Sequence, residues 1–200
     1  KLFAAARHVI AISESTKKDI MDIYDCSGEK ITVVHLASSL AGGSHEPVYN
    51  DEILGNYLLF VGNREAYKNF MFFFNSVAEL LQSDDSLSLV CTGPPFDKVE
   101  QQFFDSLGIS SKVYHFFSND EELAFLYQNA EALVFPSLYE GFGIPVLEAF
   151  ACGCPAVLSD TSSLPEVGRD AALYFNPKST RQIREAVETI LHERTLRNEI

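Results

Sequence analysis

Basic residues are scarce in this sequence. The 200-residue chain sets fifteen Lys and Arg against twenty-eight Asp and Glu, for a formal net charge of -13 and a pI near 4.7. A protein that wraps nucleic acid, or sits on anionic lipid by charge alone, needs a basic footprint, and this chain lacks one. Any local basic spot therefore stands out against an acidic field. Long apolar runs are missing too: none approaches the roughly 20 residues of a membrane span. Cysteine is sparse, and Cys26, Cys91, Cys152 and Cys154 match neither zinc-ligand nor redox-pair spacing. They are expected to be buried, reduced thiols of a cytoplasmic protein. No Gly-x-Gly-x-x-Gly follows any strand, so the dinucleotide fingerprint is absent. The chain opens on Lys1 with no basic-then-apolar leader, so it is expected to be a piece of something longer rather than a secreted precursor.

What is present is an ordinary globular composition, 46% hydrophobic and 22% charged, which is enough to build a sizeable core. His8 to Ser13 predicts a short strand, with Ser13 capping a helix from Glu14 to about Tyr24. Another strand is expected over Ile31 to Leu36, and the Ser, Gly, His, Pro and Asn content of Ala37 to Gly55 predicts a linker. A regular alternation follows. Strands are predicted at Tyr57–Val61, Leu87–Cys91, Lys112–Phe116, Ala132–Phe135, Pro155–Leu158 and Ala172–Phe175. Helices are predicted at Asn69–Leu81, Phe96–Leu107, Asp120–Asn129 (with a capping box from Asn119 and Glu122), Pro145–Cys152 and from Thr180 to the end. The Phe70–Phe74 run, with Phe103 and Phe104, is read as core.

Strands of continuous Val, Leu, Ile and Phe alternating with helices imply an α/β domain. The expected fold is a Rossmann-like parallel sheet with helices on both faces. Residues 1–50 are read as the tail of a preceding domain plus linker, and residues 51–200 as the domain proper. In such sheets ligands bind beyond the carboxyl ends of the strands, so the chemistry is sought in the βα loops.

Two loops stand out. The first runs Val61-Gly62-Asn63-Arg64-Glu65-Ala66-Tyr67-Lys68-Asn69. It holds two of the five basic residues between Asp51 and Pro177, at a strand end and a helix start, which suits a phosphate group. The second runs from Phe135 through Glu140-Gly141-Phe142-Gly143-Ile144-Pro145 to Glu148. Its glycines allow close backbone approach, Pro145 suits the first helical position, and the helix N-terminus favours negative charge. Glu148 is expected in the first turn, kept ionised by the helix dipole and accepting hydrogen bonds from hydroxyls. Paired carboxylates also raise a hydrolase reading, but such pairs usually flank a substrate from different elements. Ser163 and Glu166 look like a capping box on a short helix and Arg169-Asp170 like a surface turn. His8, His35, His45 and His192 form no ligand spacing and are given no role.

Glu140-Gly-Phe-Gly-Ile-Pro-Val-Leu-Glu148 resembles the signature of family 4 (group 1) retaining glycosyltransferases. So do Gly62…Lys68-Asn69, Ser118 to Leu123, Phe135-Pro136-Ser137 and Ser159 to Val167, in order and spacing. The likeness extends to mannosyltransferases of bacterial surface polysaccharides. It implies the C-terminal, nucleotide-sugar-binding half of a two-Rossmann-domain enzyme, with His8 to Tyr24 closing an acceptor-binding domain. By that likeness Lys68 holds the donor diphosphate and Glu148 the ribose hydroxyls, while Glu140 and the amides of Gly141, Phe142 and Gly143 meet the transferred sugar. Lys68 and Glu140 would be the catalytic pair. Gly62, Asn63, Arg64, Ile144 and the backbone around His115 and Phe116 complete the expected donor site, Phe116 and His115 at the base. Many members carry arginine where this chain has Asn63, and Arg64 follows one position later.

The resemblance implies no metal and no resident cofactor, the substrate being GDP-mannose or a UDP-hexose. It also implies a saccharide or lipid-linked acceptor held by the N-terminal domain, and it is compatible with peripheral membrane association of the full protein. Two other readings stay open: a sugar-nucleotide-binding module that does not catalyse by itself, and a phosphorylase or epimerase of the same two-domain plan.

Overall fold

The computed structural model of this protein describes residues 2–40 and 55–192. Most of the expected linker, with His45, and the end of the last helix lie outside the described residues. The chain opens with α1 (Leu2–Ala5), β1 (Val9–Ala11), α2 (Glu14–Tyr24) and β2 (Ile31–Val33), and β1 and β2 pair in parallel. Ser13 caps α2 as expected, its hydroxyl accepting from Thr16 N.

The rest of the strands, β3 (Asn56–Phe60), β4 (Leu87–Thr92), β5 (Val113–Phe116), β6 (Ala132–Phe135), β7 (Ala156–Ser159) and β8 (Leu173–Phe175), form one sheet. Its order is β5-β4-β3-β6-β7-β8, with every pairing parallel. The helices are α3 (Phe70–Ser83), α4 (Lys98–Ser106), α5 (Asp120–Asn129), α6 (Ile144–Ala151), α7 (Leu164–Gly168) and α8 (Thr180–His192). From β3 the chain steps outward in one direction, then crosses back to β6 and steps outward in the other. The loops leaving β3 and β6 therefore diverge, and the crevice between them is where such a sheet admits a ligand.

Continuous apolar strands arise because both faces of the sheet are covered. Along β3, Tyr57 and Leu59 pack on one side with Leu126, Leu133, Phe135 and Val146. Leu58 and Phe60 pack on the other with Phe70, Phe74, Leu89 and Val187. The phenylalanines of α3 are core, as their spacing predicts. Phe70, Phe73 and Phe74 are buried, and the Phe74 ring packs at a tilt against Phe104, with centroids 4.6 Å apart. Truncating one of these rings to alanine costs about 3–5 kcal/mol. All four cysteines are buried thiols, none of them in a disulfide among the described residues.

Boundaries differ where a local bond decides. The fourth helix starts at Lys98, not Phe96, because Asp97 caps it in a capping box with Glu100. Phe96 turns instead onto Phe104, Phe70 and His115. The box on α5 from Asn119 and Glu122 forms as expected. Among the described residues no helix is long and apolar enough to cross a membrane.

Candidate active site

The loop after β3 contains a 3-10 turn, Ala66–Lys68, which the periodicity does not announce. Asn69 then adopts a left-handed conformation (φ 59°) before α3 begins, and its side chain does not cap that helix. Its amide nitrogen donates instead to the carbonyls of Pro136 (3.1 Å) and Pro177 (2.8 Å), tying together the loops beyond β3, β6 and β8. Leu138 N donates to Tyr67 O at 2.7 Å. These bonds bring Lys68 across the crevice. Its Nζ lies 2.7 Å from Glu140 Oε1 and 4.8 Å from the centre of the Phe135 ring, and both charged side chains are largely buried.

The glycine-rich loop is held from behind. Ser162 Oγ accepts from Glu140 N, and the fully buried Ser163 hydroxyl reaches the carbonyls of Glu140 and Phe142. From the other side, Ser13 and Thr16 direct hydroxyls at Gly141 O, at 2.7 and 3.1 Å. The amide N–H groups of Gly141, Phe142 and Gly143 have no hydrogen-bond partner among the described residues. Gly143 has φ 110°, and a side chain there would collide with Leu164 at 2.9 Å. Across the crevice, a Cβ on Gly62 would meet nothing within 4 Å, so this position opens onto empty space. Gly93, by contrast, is needed for contact: its Cβ would fall 2.4 Å from the Gly62 carbonyl.

The geometry brings Gly62, Lys68, Glu140, Gly141, Phe142, Gly143 and Ile144 to one edge of the sheet, Ile144 as the first residue of α6. His115 sits at the end of β5, its Nε2 2.7 Å from Gly93 O and its ring edge-on to Phe96 and Phe117. Phe116 ends that strand. Asn63 donates to Glu65 at 3.2 Å, leaving its Oδ1 buried without a partner.

Arg64 departs from the expectation of a phosphate ligand. Its guanidinium is buried, with Nε 2.6 Å from Glu100 Oε1 and Nη2 2.6 and 2.9 Å from the carbonyls of Pro94 and Pro95. It lies 4.7 Å from the Phe96 ring centre. A paired carboxylate and two carbonyls on the neighbouring loop outcompete a position over the crevice.

Glu148 also needs correction. Pro145 is the second helical residue, not the first, so Glu148 is the fifth and lies beyond the first turn. Burial pushes its carboxyl above the usual carboxylate range and Asp120 adds to this, while a 2.9 Å bond from the Tyr127 hydroxyl opposes it.

The capping box expected from Ser163 and Glu166 is absent. Ser163 makes no cap bond, and Glu166 reaches away from its own helix to accept from Glu14 N at 2.9 Å and Ser15 N at 3.4 Å. It also pairs with His35, given no role from the sequence, at 2.6 Å. Burial disfavours the Glu166 charge, but the two amides and His35 more than offset it, lowering its pKa. The surface turn at Arg169-Asp170 is exposed as expected. Of the residues missed, Ser13 had a signal as a helix-capping residue, and Asn69 and Ser162 had one as members of the segments that carry the resemblance. Tyr127 had none.

Comparison with known proteins places this geometry. The family described as glycosyl transferases group 1 matches residues 53–200. The O-antigen chain mannosyltransferase RfbU of Salmonella typhimurium is 32% identical over 185 residues, covering 92% of this chain and 51% of that protein. The MMP alpha-(1->4)-mannosyltransferase of Mycolicibacterium hassiacum is 32% identical over 162 residues, covering 80% of this chain and 38% of that protein. Among solved structures, sucrose-phosphate synthase from Thermosynechococcus elongatus superposes with a TM-score of 0.81 at 19% identity, over 98% of this chain and 52% of that one. That likeness speaks for the fold alone. The chain spans about half the length of the curated relative RfbU. With a family match to residues 53–200, on a six-stranded parallel sheet with the expected crevice, the chain belongs to the group 1 glycosyltransferases.

Proposed function

We propose that this chain is the donor-binding half of a retaining glycosyltransferase that moves a hexose from a nucleoside diphosphate to a saccharide or lipid-linked acceptor. The observation that carries the reading is the Lys68–Glu140 pair at the switch point of the sheet, beside three backbone amides with no partner among the described residues. Departure of a nucleoside diphosphate builds negative charge on the leaving oxygens. A fixed cation and preoriented N–H groups in a water-poor crevice stabilise that charge without rearranging at the moment of reaction. Glu140, its charge balanced by Lys68, is an acceptor for hydroxyls of the transferred sugar. Glu148 offers a second carboxylate for the ribose, and the aromatic end of β5 a surface for the base. The sugar is proposed to be mannose, carried by GDP, because several relatives that match by sequence are mannosyltransferases. The nucleotide sugar is substrate, and the reading assigns no resident cofactor or metal. The acceptor is assigned to a preceding domain, in keeping with the half-length match to RfbU; this chain by itself is then a module that binds donor.

Calorimetric titration of Lys68→Ala with GDP and with guanosine tests the reading. Loss of a charge-assisted hydrogen bond of about 1.5–3 kcal/mol should weaken GDP by roughly 10- to 100-fold and leave guanosine unchanged. Equal weakening of both ligands would mean that Lys68 supports the loop and does not hold the diphosphate.

A further inference from the structure

Tyr127 and Tyr57 are both fully buried core tyrosines near the join of α5 and the sheet. A buried phenol must place its hydroxyl on an acceptor, and the cheapest acceptor is a backbone carbonyl. Tyr57 does this, donating to Leu126 O at 2.7 Å. Tyr127 does not. Its hydroxyl donates to Glu148 Oε2 at 2.9 Å, on a different helix and 21 residues away. Glu148 Oε1 accepts nothing from the described residues. One oxygen of this carboxylate is thus anchored from inside the core and the other is left as an open acceptor.

From this geometry we propose that Tyr127 is the positioning residue for Glu148: it fixes the carboxylate's orientation so that the open oxygen faces ribose hydroxyls as an acceptor. The inference rests on the reading of Glu148 as the ribose-binding group. A core tyrosine is a stiff anchor, because its ring is packed on all sides and only the hydroxyl can move. The surroundings make the anchor necessary. Asp120 on α5 disfavours the Glu148 charge, as does burial, and the buried thiols Cys152 and Cys154 beyond α6 offer no compensating cation. Among the groups acting on Glu148, the Tyr127 hydroxyl is the one that favours ionisation. Without it the carboxyl both swings free and protonates at higher pH, and a protonated carboxyl has lost much of its strength as an acceptor.

The test compares GDP with 2′,3′-dideoxy-GDP by titration between pH 5 and 8, in the wild-type chain, Tyr127→Phe and Glu148→Gln. Tyr127→Phe removes one oxygen atom and keeps the ring, so the core should persist. It is expected to lower the preference for ribose over dideoxyribose by about tenfold. It should also move the acid-side loss of that preference to higher pH, which a purely structural role for Tyr127 would not do. Glu148→Gln should remove most of the preference and its pH dependence. If Glu148→Gln acts in that way and Tyr127→Phe changes neither the preference nor its pH profile, the positioning role is wrong and the ribose reading stands. If Glu148→Gln leaves the preference intact, the ribose reading fails and takes the inference with it. Should Tyr127→Phe not fold, 3,5-difluorotyrosine at position 127 replaces it. That phenol is a stronger donor, so the acid-side loss must then move to lower pH, and a shift in the other direction or none overturns the proposal.

Discussion

Arg64 and Lys68 stand four residues apart in one loop, and their fates differ because of what each can reach. Lys68 meets a carboxylate across the crevice, whereas Arg64 turns inward to Glu100, two carbonyls and two phenylalanine faces. The guanidinium presents a planar fork, which suits several fixed acceptors at once better than a point charge does. Arg64 thereby clamps the Gly62–Lys68 loop to the loop after β4, so its contribution is to shape. Removing one partner of a buried ion pair leaves the other uncompensated, so Arg64→Ala is expected to lose about 3–5 kcal/mol of stability in urea unfolding. Replacing both partners with apolar residues, Arg64→Met with Glu100→Leu, should recover part of that loss, the remainder being the α4 capping-box bond that Glu100 also makes. A variant lacking Arg64 that keeps its stability but no longer binds GDP would return the residue to the phosphate site. Spacing placed Arg64 in the right loop. Its direction depends on Glu100, 36 residues away, which no local pattern reveals.

At the scale of elements, most of the architecture was legible. Continuous apolar strands alternating with amphipathic helices implied a parallel sheet, and Gly, Pro and capping residues marked the helix ends near Ser13, Asn119 and Gly143. The contacts that turn elements into a site were not legible, because they join residues of different elements, from 21 positions apart (Tyr127 and Glu148) to 152 (Glu14 and Glu166). Glu166 is the plainest example. It sits three residues after Ser163, as a capping box requires, yet its carboxylate occupies the N-terminus of α2, where unpaired amides and the helix dipole attract it more strongly. With Ser13 and Thr16 on Gly141, this contact fastens α2 to the glycine-rich loop. The folded state lowers the Glu166 pKa, so its contribution is fully present above the unfolded-state value and is lost as pH falls through the folded-state value. Acidification below the ordinary carboxylate range should therefore free α2 before the six-stranded sheet unfolds. Hydrogen exchange of the α2 amides should speed up on acidification beyond the intrinsic pH effect, and Glu166→Gln should show the fast exchange already at pH 7. Slow α2 exchange in Glu166→Gln would show that the hydroxyls on Gly141 hold the helix without it.

For the whole molecule, the acidic charge sets a problem that the site solves only locally. A net charge of -13 repels a nucleoside diphosphate at long range. The cation proposed to receive it, Lys68, is already matched by Glu140 at 2.7 Å, and the other basic residue of that loop is buried against Glu100, so the crevice projects little positive field into solvent. Attraction then begins only when the phosphates come within hydrogen-bonding range of Lys68 and the loop amides, after the approach against repulsion has been made. Salt acts on these two stages unequally. The Debye length shrinks from about 30 Å at 0.01 M to about 8 Å at 0.15 M, which screens the long-range repulsion while leaving contacts inside a partly dry crevice much less affected. The association rate for GDP, measured by stopped flow, is therefore expected to rise about two- to tenfold over that range of salt, with a smaller change in the dissociation rate. Guanosine carries no charge and should associate at a rate that does not change with salt. A GDP association rate that falls as salt is added would mean that a basic field steers the ligand after all, and the balanced Lys68–Glu140 pair would not be the place where the diphosphate arrives.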